Sequence, residues 1–286
     1  MARTAGRLVL PIMVVLGCAG QPPPPEVDAI LDVAYGADER HRLDIYRPKG
    51  VTGKLPAVLW IHGGGWREGD KRSGVNGIST LAPALVGRGY VAIACNYRFT
   101  PKHRHPAQVD DVRRAVRWLR ANADRYNIDP DRIGAAGISA GGHLACMLGV
   151  RDDGVKKGDD LDRIPGQVRA LVSLNGPTDL REGRLPSPPV LAQAFRDLAG
   201  DDPAALASAS PLLFAGRDFA PALFIVGSED PLVPIDHSKR MVAALQEHGV
   251  EARLHVIRGA GHGIFPGQTP EARDALLDFF DSRLKP

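Results

Sequence analysis

The segment Gly137-Ile138-Ser139-Ala140-Gly141 places a serine between two glycines, where an apolar strand-like run (Ile133–Ile138) meets a helix-like one (Ala140–Val150). A serine at so sharp a strand-to-helix turn has a strained backbone and a projecting hydroxyl, and glycines two residues either side leave room for a crossing chain. The free N–H groups at the helix start favour negative charge developing beside it. Ser139 is therefore the expected nucleophile of an acyl transfer, in preference to a plain glycine-rich turn. Such an attack needs donors for the oxygen that becomes negative, a base for the hydroxyl proton and an acid to orient that base.

Each requirement has a candidate. His62-Gly63-Gly64-Gly65-Trp66 follows a buried strand-like run, Ala57–Ile61. Glycines there let backbone N–H groups approach an oxygen with no side chain between. Gly64 and Gly65, with Ala140 after the nucleophile, are the expected donors of an oxyanion hole. A phosphate loop is the competing use of such glycines, but no Lys-Ser/Thr follows and no G-x-G-x-x-G is present. Asp230 lies just beyond the strand-like run Ala222–Val226, with Glu229 as competitor, and the Asp-x-x-Val spacing of Asp230 to Val233 resembles that of known hydrolases. His262 sits in Gly259-Ala260-Gly261-His262-Gly263, after the last strand-like run. A histidine flanked by glycines in a loop is a poor core residue and a good base. The order Ser, Asp, His is that of a nucleophile-elbow hydrolase. His262 would take the Ser139 proton while Asp230 fixes its tautomer. His62 is expected to brace the glycine loop. His143, one turn after Ser139, could line a pocket or simply pack, and Trp66 could be a pocket wall or a core residue. His41, His103, His105, His237, His248 and His255 read as surface or loop positions.

The elements that would carry these residues alternate strand and helix, which calls for a mainly parallel sheet with helices on both faces. Short antiparallel strands are expected near Ile30–Tyr35 and Arg42–Arg47, then strands at Ala57–Ile61, Val91–Asn96, Ile133–Ile138, Ala170–Leu174, Ala222–Val226 and Arg253–Ile257. Helices are expected over Thr80–Arg88, from Val109 to about Tyr126, over Ala140–Val150 and Asp236–Glu247, and after Thr269, which is expected to cap the last of them. The arginine-rich stretch from Val109 reads as an amphipathic surface helix. The charged stretch from Asp152 to Arg163 reads as a solvated loop, and Asp179–Pro221 as a short lid over a pocket. The 286 residues suit one large α/β domain, and 24% charged with 44% hydrophobic residues argues against a disordered or multi-span membrane chain. Lys+Arg exceed Asp+Glu by only 36 − 33 = 3, with the two signs interleaved, so nucleic acid is not an expected partner. No Cys/His cluster has zinc spacing, and no metal is expected.

The first residues read separately. Arg3 and Arg7 precede nine apolar residues, Leu8–Leu16, too few to span a bilayer but enough for an export signal. The run ends in Val15-Leu16-Gly17-Cys18, which resembles a bacterial lipobox. Residues 1–18 are then a signal segment with Cys18 as the lipidation site, the alternative being a plain secretory signal cut near Ala19 or Gly20. Residues 19–26, including Gln21–Pro25, form a proline-rich tether, and 27–286 a single catalytic domain. The expected location is the bacterial cell envelope, with membrane contact only through the lipid. An export compartment permits a disulfide, but Cys95 and Cys146 lie in apolar runs and are expected to be buried thiols.

HGGGWREGDK (62–71), Asn96-Tyr97-Arg98, the run from Pro106 to Ala145 and SEDPLVP (228–234) together resemble bacterial serine carboxylesterases of the α/β-hydrolase superfamily. More narrowly they resemble bifunctional feruloyl/acetyl-xylan esterases, near the hormone-sensitive-lipase branch, over roughly residues 28–284. The resemblance implies an α/β-hydrolase fold with a sheet of about eight strands and a short cap region. It also implies a Ser139–His262–Asp230 triad, no cofactor and a small-molecule or polysaccharide ester substrate with a short acyl group. An arylformamidase or peptidase-like amide hydrolase on the same triad is the alternative reaction. A non-catalytic ligand-binding member of the fold is the alternative class, weakened by the presence of every triad residue.

Overall fold

The computed structural model describes residues 26–72, 77–152, 154, 158–181 and 188–286. The basic and apolar start, the lipobox-like segment with Cys18 and the proline run 21–25 lie outside the described residues. Val27–Ala34 (β1) pairs antiparallel with Arg42–Pro48 (β2), which runs antiparallel to Val91–Cys95 (β4). Leu55–Ile61 (β3), Ile128–Ile138 (β5), Ala170–Leu174 (β6), Ala222–Gly227 (β7) and Ala252–Ile257 (β8) continue the sheet in parallel, in the order β1-β2-β4-β3-β5-β6-β7-β8. This is the eight-stranded, mostly parallel architecture expected.

Parallel strands covered on both faces need apolar residues throughout, not alternation. In β3, Ala57, Leu59 and Ile61 enter one core while Val58 and Trp60 enter the other. Helices Ala82–Gly87 (α1) and Pro270–Leu284 (α7) cover the face with Trp60. Ala107–Ala121 (α2), Ala140–Gly149 (α3), Pro189–Ala199 (α4), Pro203–Ser208 (α5) and Asp236–Glu247 (α6) cover the opposite face. Phe280 of α7 is fully buried and sits where a Cβ on Gly134 would stand, 2.7 Å from its Cε1. Burying that ring contributes about 1.5–3 kcal/mol, and the glycine in β5 makes the room.

Several expectations are corrected. The helix from Ala107 ends at Ala121 rather than Tyr126; a 3₁₀ turn, Asp124–Tyr126, follows and Asn127 turns the chain at φ +58°. The segment read as helix over Thr80–Arg88 opens as a 3₁₀ turn, Ile78–Thr80, before α1. Thr269 stands at the N-cap of α7 without a side-chain cap bond. The acidic loop after α3 is not simply solvated. Arg117 of α2 binds Asp152 at 2.9 Å and Asp162 at 3.1 Å, and Arg114 binds Asp159 at 2.5 Å, so the helix arginines and loop acids neutralise one another. Cys95 and Cys146 are buried and free, their thiols pushed up to about 12 by burial. No helix among the described residues is long and apolar enough to cross a membrane.

Candidate active site

The C-terminal ends of β3, β5, β7 and β8 open at one rim of the sheet, where parallel strands deliver functional side chains. Ser139 follows β5 directly and has φ +56°, ψ −121°. A non-glycine residue holds that conformation only when its surroundings impose it. Here the Ser139 N–H donates to the Leu174 carbonyl at 2.8 Å, anchoring the turn to β6. A Cβ on Gly141 would run into the Ile61 carbonyl of β3, and one on Gly137 into the Gly141 carbonyl. The two glycines of the motif are thus required by the strand packed across the turn.

Gly64 (φ +109°), Gly65 (φ +57°) and Trp66 (φ +59°) form a tight loop after β3. Its return is closed by the Gly64 carbonyl, which accepts from the N–H groups of Arg67 and Glu68, both at 3.1 Å. Gly64, Gly65, Trp66, Ser139 and His262 all line one cavity of about 450 Å³. Ala140, the first residue of α3, adjoins Ser139, and its N–H is one of those a helix leaves without an intrahelical acceptor.

The loop is braced as expected of His62, and more heavily than its sequence suggests. The fully buried His62 donates from Nδ1 to the Gly63 carbonyl at 2.7 Å and stacks on Tyr97 with centroids 4.5 Å apart. The Tyr97 hydroxyl donates to the His62 carbonyl at 3.0 Å. Burial pushes the His62 imidazole down to about 4, so it serves as a neutral strut. Asn96 accepts from the Lys71 N–H and donates to Asp70, both at 2.6 Å. The buried Lys71 ammonium pairs with Asp32 at 2.7 Å. The Gly-Asp-Lys and Asn-Tyr-Arg segments are therefore fasteners between the glycine loop and the sheet.

Asp230 and His262 meet. The Asp230 Oδ2 accepts from His262 Nδ1 at 2.7 Å, and its Oδ1 accepts from the N–H groups of Leu232 (2.8 Å) and Val233 (3.0 Å). Burial works against the Asp230 charge, but the His262 bond and the two N–H donors outweigh it and hold the carboxyl below its usual range. The competitor Glu229 is exposed at the surface.

Asn175, unremarked in the sequence, is also part of this arrangement. It follows β6 in the left-handed region (φ +47°), which asparagine tolerates better than most residues. Its Nδ2 donates to the His262 carbonyl at 2.8 Å and its Oδ1 accepts the Gly227 N–H at 3.1 Å. An asparagine followed by glycine at a strand end was the only available signal.

Trp66 is a wall of the cavity and is buried as well. Of the two readings of His143 the structure selects packing over pocket lining: it is absent from the cavity wall and fully buried behind Trp66, whose indole covers it. His41 and His237 are likewise not surface residues. His41 binds Asp111 at 2.9 Å, and His237 accepts from the N–H groups of Thr178 and Asp179 at 3.1 and 3.3 Å. The lid expectation is met in part by α4, whose Val190, Leu191 and Ala194 line the cavity together with Leu232 and Phe265. Among the described residues no group of three or more His, Cys, Asp or Glu is placed to hold a metal ion.

Residues 43–245 match the family described as BD-FAE. The chain is 31% identical over 245 residues to Esterase LipC of Mycobacterium tuberculosis, covering 81% of this chain and 59% of LipC, so it spans less than two thirds of that relative. A truncated carbohydrate esterase from gut microbiota superposes with a TM-score of 0.78 at 28% identity, covering 92% of this chain and 98% of the other. An acetyl ester-xyloside bifunctional hydrolase from Caldicellulosiruptor lactoaceticus superposes with a TM-score of 0.74 at 28% identity, covering 84% and 87%. The nucleophile-elbow turn, the glycine loop and the Asp–His pair thus occur in a chain that belongs to the BD-FAE family and has the α/β-hydrolase fold of its esterase relatives.

Proposed function

We propose that this protein is a serine carboxylesterase that removes short acyl groups, acetyl above all and feruloyl as a second substrate, from plant polysaccharide or its fragments. The observation that carries the reading is the 2.7 Å bond between Asp230 and His262, with His262 and Ser139 on the wall of the same cavity. The Ser139 Oγ attacks the ester carbonyl carbon as its proton passes to His262 Nε2. Asp230 stabilises the imidazolium through Nδ1–H. The carbonyl oxygen, now negative, is received by the N–H groups of Gly64, Gly65 and Ala140. The ester C–O bond breaks, His262 returns the proton to the departing alcohol oxygen, and an acyl-enzyme remains. Water, deprotonated by His262, then releases the acid.

The cavity supports small acyl groups. Ile138, Leu191, Ala194, Leu232 and Phe265 give it an apolar wall, and about 450 Å³ accommodates a short chain or one aromatic ring rather than a long lipid tail. The carbohydrate esterase and the acetyl ester-xyloside bifunctional hydrolase among the structural relatives support a sugar on the alcohol side. Export with a lipid on Cys18 is part of the same reading, because it holds the enzyme where polymer fragments arrive.

The test is hydrolysis of p-nitrophenyl esters of increasing acyl length, acetylated xylan and methyl ferulate, with Ser139→Ala as control. Turnover falling steeply beyond butyrate, activity on acetylated xylan and loss of several orders of magnitude in Ser139→Ala are expected. Undiminished turnover in Ser139→Ala would refute the mechanism, and activity confined to aryl esters would refute the polysaccharide.

A further inference from the structure

The N–H groups proposed to receive the oxyanion come from two separate elements: Gly64 and Gly65 from the loop after β3, and Ala140 from the start of α3. Such donors work only when all lie about 2.7–3.1 Å from one oxygen position. A displacement of about 1 Å costs about 10² in rate. Glycines at φ +109° and +57° do not fix that distance by themselves. Something must set the loop against α3.

Trp66 is placed to do so. It follows Gly65 and stands at φ +59°, a conformation a bulky side chain keeps only under constraint. The constraint is visible on its carbonyl, which accepts from the Thr100 N–H at 3.0 Å, and on its indole. Trp66 Nε1 donates to His143 Nδ1 at 3.2 Å, the two rings meeting edge to face with centroids 5.1 Å apart. His143 belongs to the first turn of α3, its own N–H donating to the Ser139 carbonyl at 3.0 Å. The other ring nitrogen, Nε2, lies 2.7 Å from the Ala209 carbonyl. A carbonyl only accepts, so Nε2 carries the proton and Nδ1 presents its lone pair to Trp66. Both side chains are about 99% buried or more, so water does not compete for the bond.

We infer that His143 is a positioning residue for the oxyanion hole: by accepting the Trp66 indole N–H, it ties the Gly64–Gly65 loop to the first turn of α3 and sets the spacing of the donors around Ser139. The inference rests on the serine-esterase reading above. Burial pushes the His143 imidazole down to about 3, so Nδ1 stays an acceptor across neutral pH. An imidazole suits the task because it accepts on one side and donates on the other in one rigid ring.

The test compares His143→Leu, His143→Gln and Trp66→Phe with wild type and Ser139→Ala, all in the full chain. It uses p-nitrophenyl acetate kinetics and inhibition by a trifluoromethyl ketone, whose serine adduct carries the oxyanion; thermal unfolding checks that each variant is folded. In His143→Leu and Trp66→Phe, kcat is expected to fall about 10- to 100-fold with KM within about threefold, a loss confined to the transition state. The ketone should weaken by about the same factor as kcat/KM. His143→Gln, whose amide can accept from the indole and donate to Ala209, should recover kcat to within about fivefold of wild type. The double variant Trp66→Phe/His143→Leu should be no slower than the worse single, since both remove one bond. A folded Trp66→Phe or His143→Leu within about twofold of wild-type kcat would overturn the inference, as would His143→Gln as slow as His143→Leu. If His143→Leu does not fold, Trp66→Phe decides the matter. Full turnover in Ser139→Ala would instead bring down the esterase reading itself; loss there with His143→Leu unaffected would bring down this inference alone.

Discussion

Three histidines around the site are buried as neutral rings, and acid should unfold the protein through them. His62 lies under the glycine loop, His143 behind Trp66 and His237 beneath Thr178 and Asp179, each with essentially no solvent exposure. Burial lowers the imidazoles from the ordinary 6.5 to about 4, about 3 and about 4. Below pH 6.5 the unfolded chain takes up a proton at each position while the folded chain does not. Stability must then fall as pH falls, and the decline ends only near the folded-state values. Each ring contributes up to about 1.36 kcal/mol per pH unit, a slope reached only well below pH 6.5, so the three together give up to about 4 kcal/mol per unit and about 5 kcal/mol between pH 6.5 and 5. That is comparable with the whole stability of a typical domain, about 5–15 kcal/mol. Asp110, which burial pushes upward, opposes the trend with at most one proton. Asp111 and Asp230 are held low and titrate below this window. Urea unfolding at half-unit steps from pH 7.5 to 5 measures the slope. Replacing His237 with Gln, which keeps an acceptor for the two N–H groups, should remove about a third of it. A midpoint independent of pH between 6.5 and 5 would refute the claim that these rings are buried and neutral.

Three other outcomes follow from the same geometry. Asp230→Asn should leave the fold intact and lower kcat by about 10⁴, because an amide at this position favours the wrong His262 tautomer; steady-state kinetics beside circular dichroism check this. Gly141→Ala forces a Cβ into the Ile61 carbonyl and should cost at least about 1–3 kcal/mol in urea unfolding, with activity lost in parallel. Asn175→Ala leaves the Gly227 N–H without its acceptor and frees the His262 carbonyl, so a loss of about 1–3 kcal/mol and a lower kcat at nearly constant KM are expected.

The layout of the candidate site was legible where the proposed chemistry demands a residue type at a fixed place along the chain. Ser139 between glycines, the glycine loop, Asp230 and His262 each sit beside a strand readable from its apolar run, and the structure puts Asp230 against His262, and His262 and Ser139 on one cavity. The choice of Asp230 over Glu229 rested on a spacing shared with the resembled esterases, because the N–H that Val233 gives the carboxylate could come from any residue but proline. What escaped depends on contacts distant in the chain. Arg117 and Asp152 are 35 residues apart, and nothing local says that the acidic loop lies on the arginine face of α2. His41 and His237 look like loop residues because their partners, Asp111 and the 178–179 backbone, are about 60 to 70 positions away. Asn175 has no motif at all, because its role is to accept and donate to backbone groups of other loops. The helix boundaries that shifted, at Ala121 and Ile78, did so where a turn of 3₁₀ geometry could keep the same side chains buried, an alternative that apolar spacing does not distinguish.

β6 carries none of the proposed catalytic groups, yet it is the strand that joins them. At the end of β6 the Leu174 carbonyl accepts the Ser139 N–H, and the next residue, Asn175, holds the Gly227 N–H and the His262 carbonyl. The Asn175 N–H in turn donates to Ile225 of β7 at 3.0 Å. The nucleophile is thus referenced to β6 from one side and the acid–base pair from the other, within two consecutive residues. On the far side of Ser139, the Trp66–His143 bond ties the glycine loop to the same helix start. Each joint is a neutral hydrogen bond at a buried or half-buried position, where an ion would be costly to desolvate and a water bridge would let the parts drift. A site assembled from four strand ends needs its parts registered to one another more closely than loops alone allow, and side chains that perform no chemistry supply that registration.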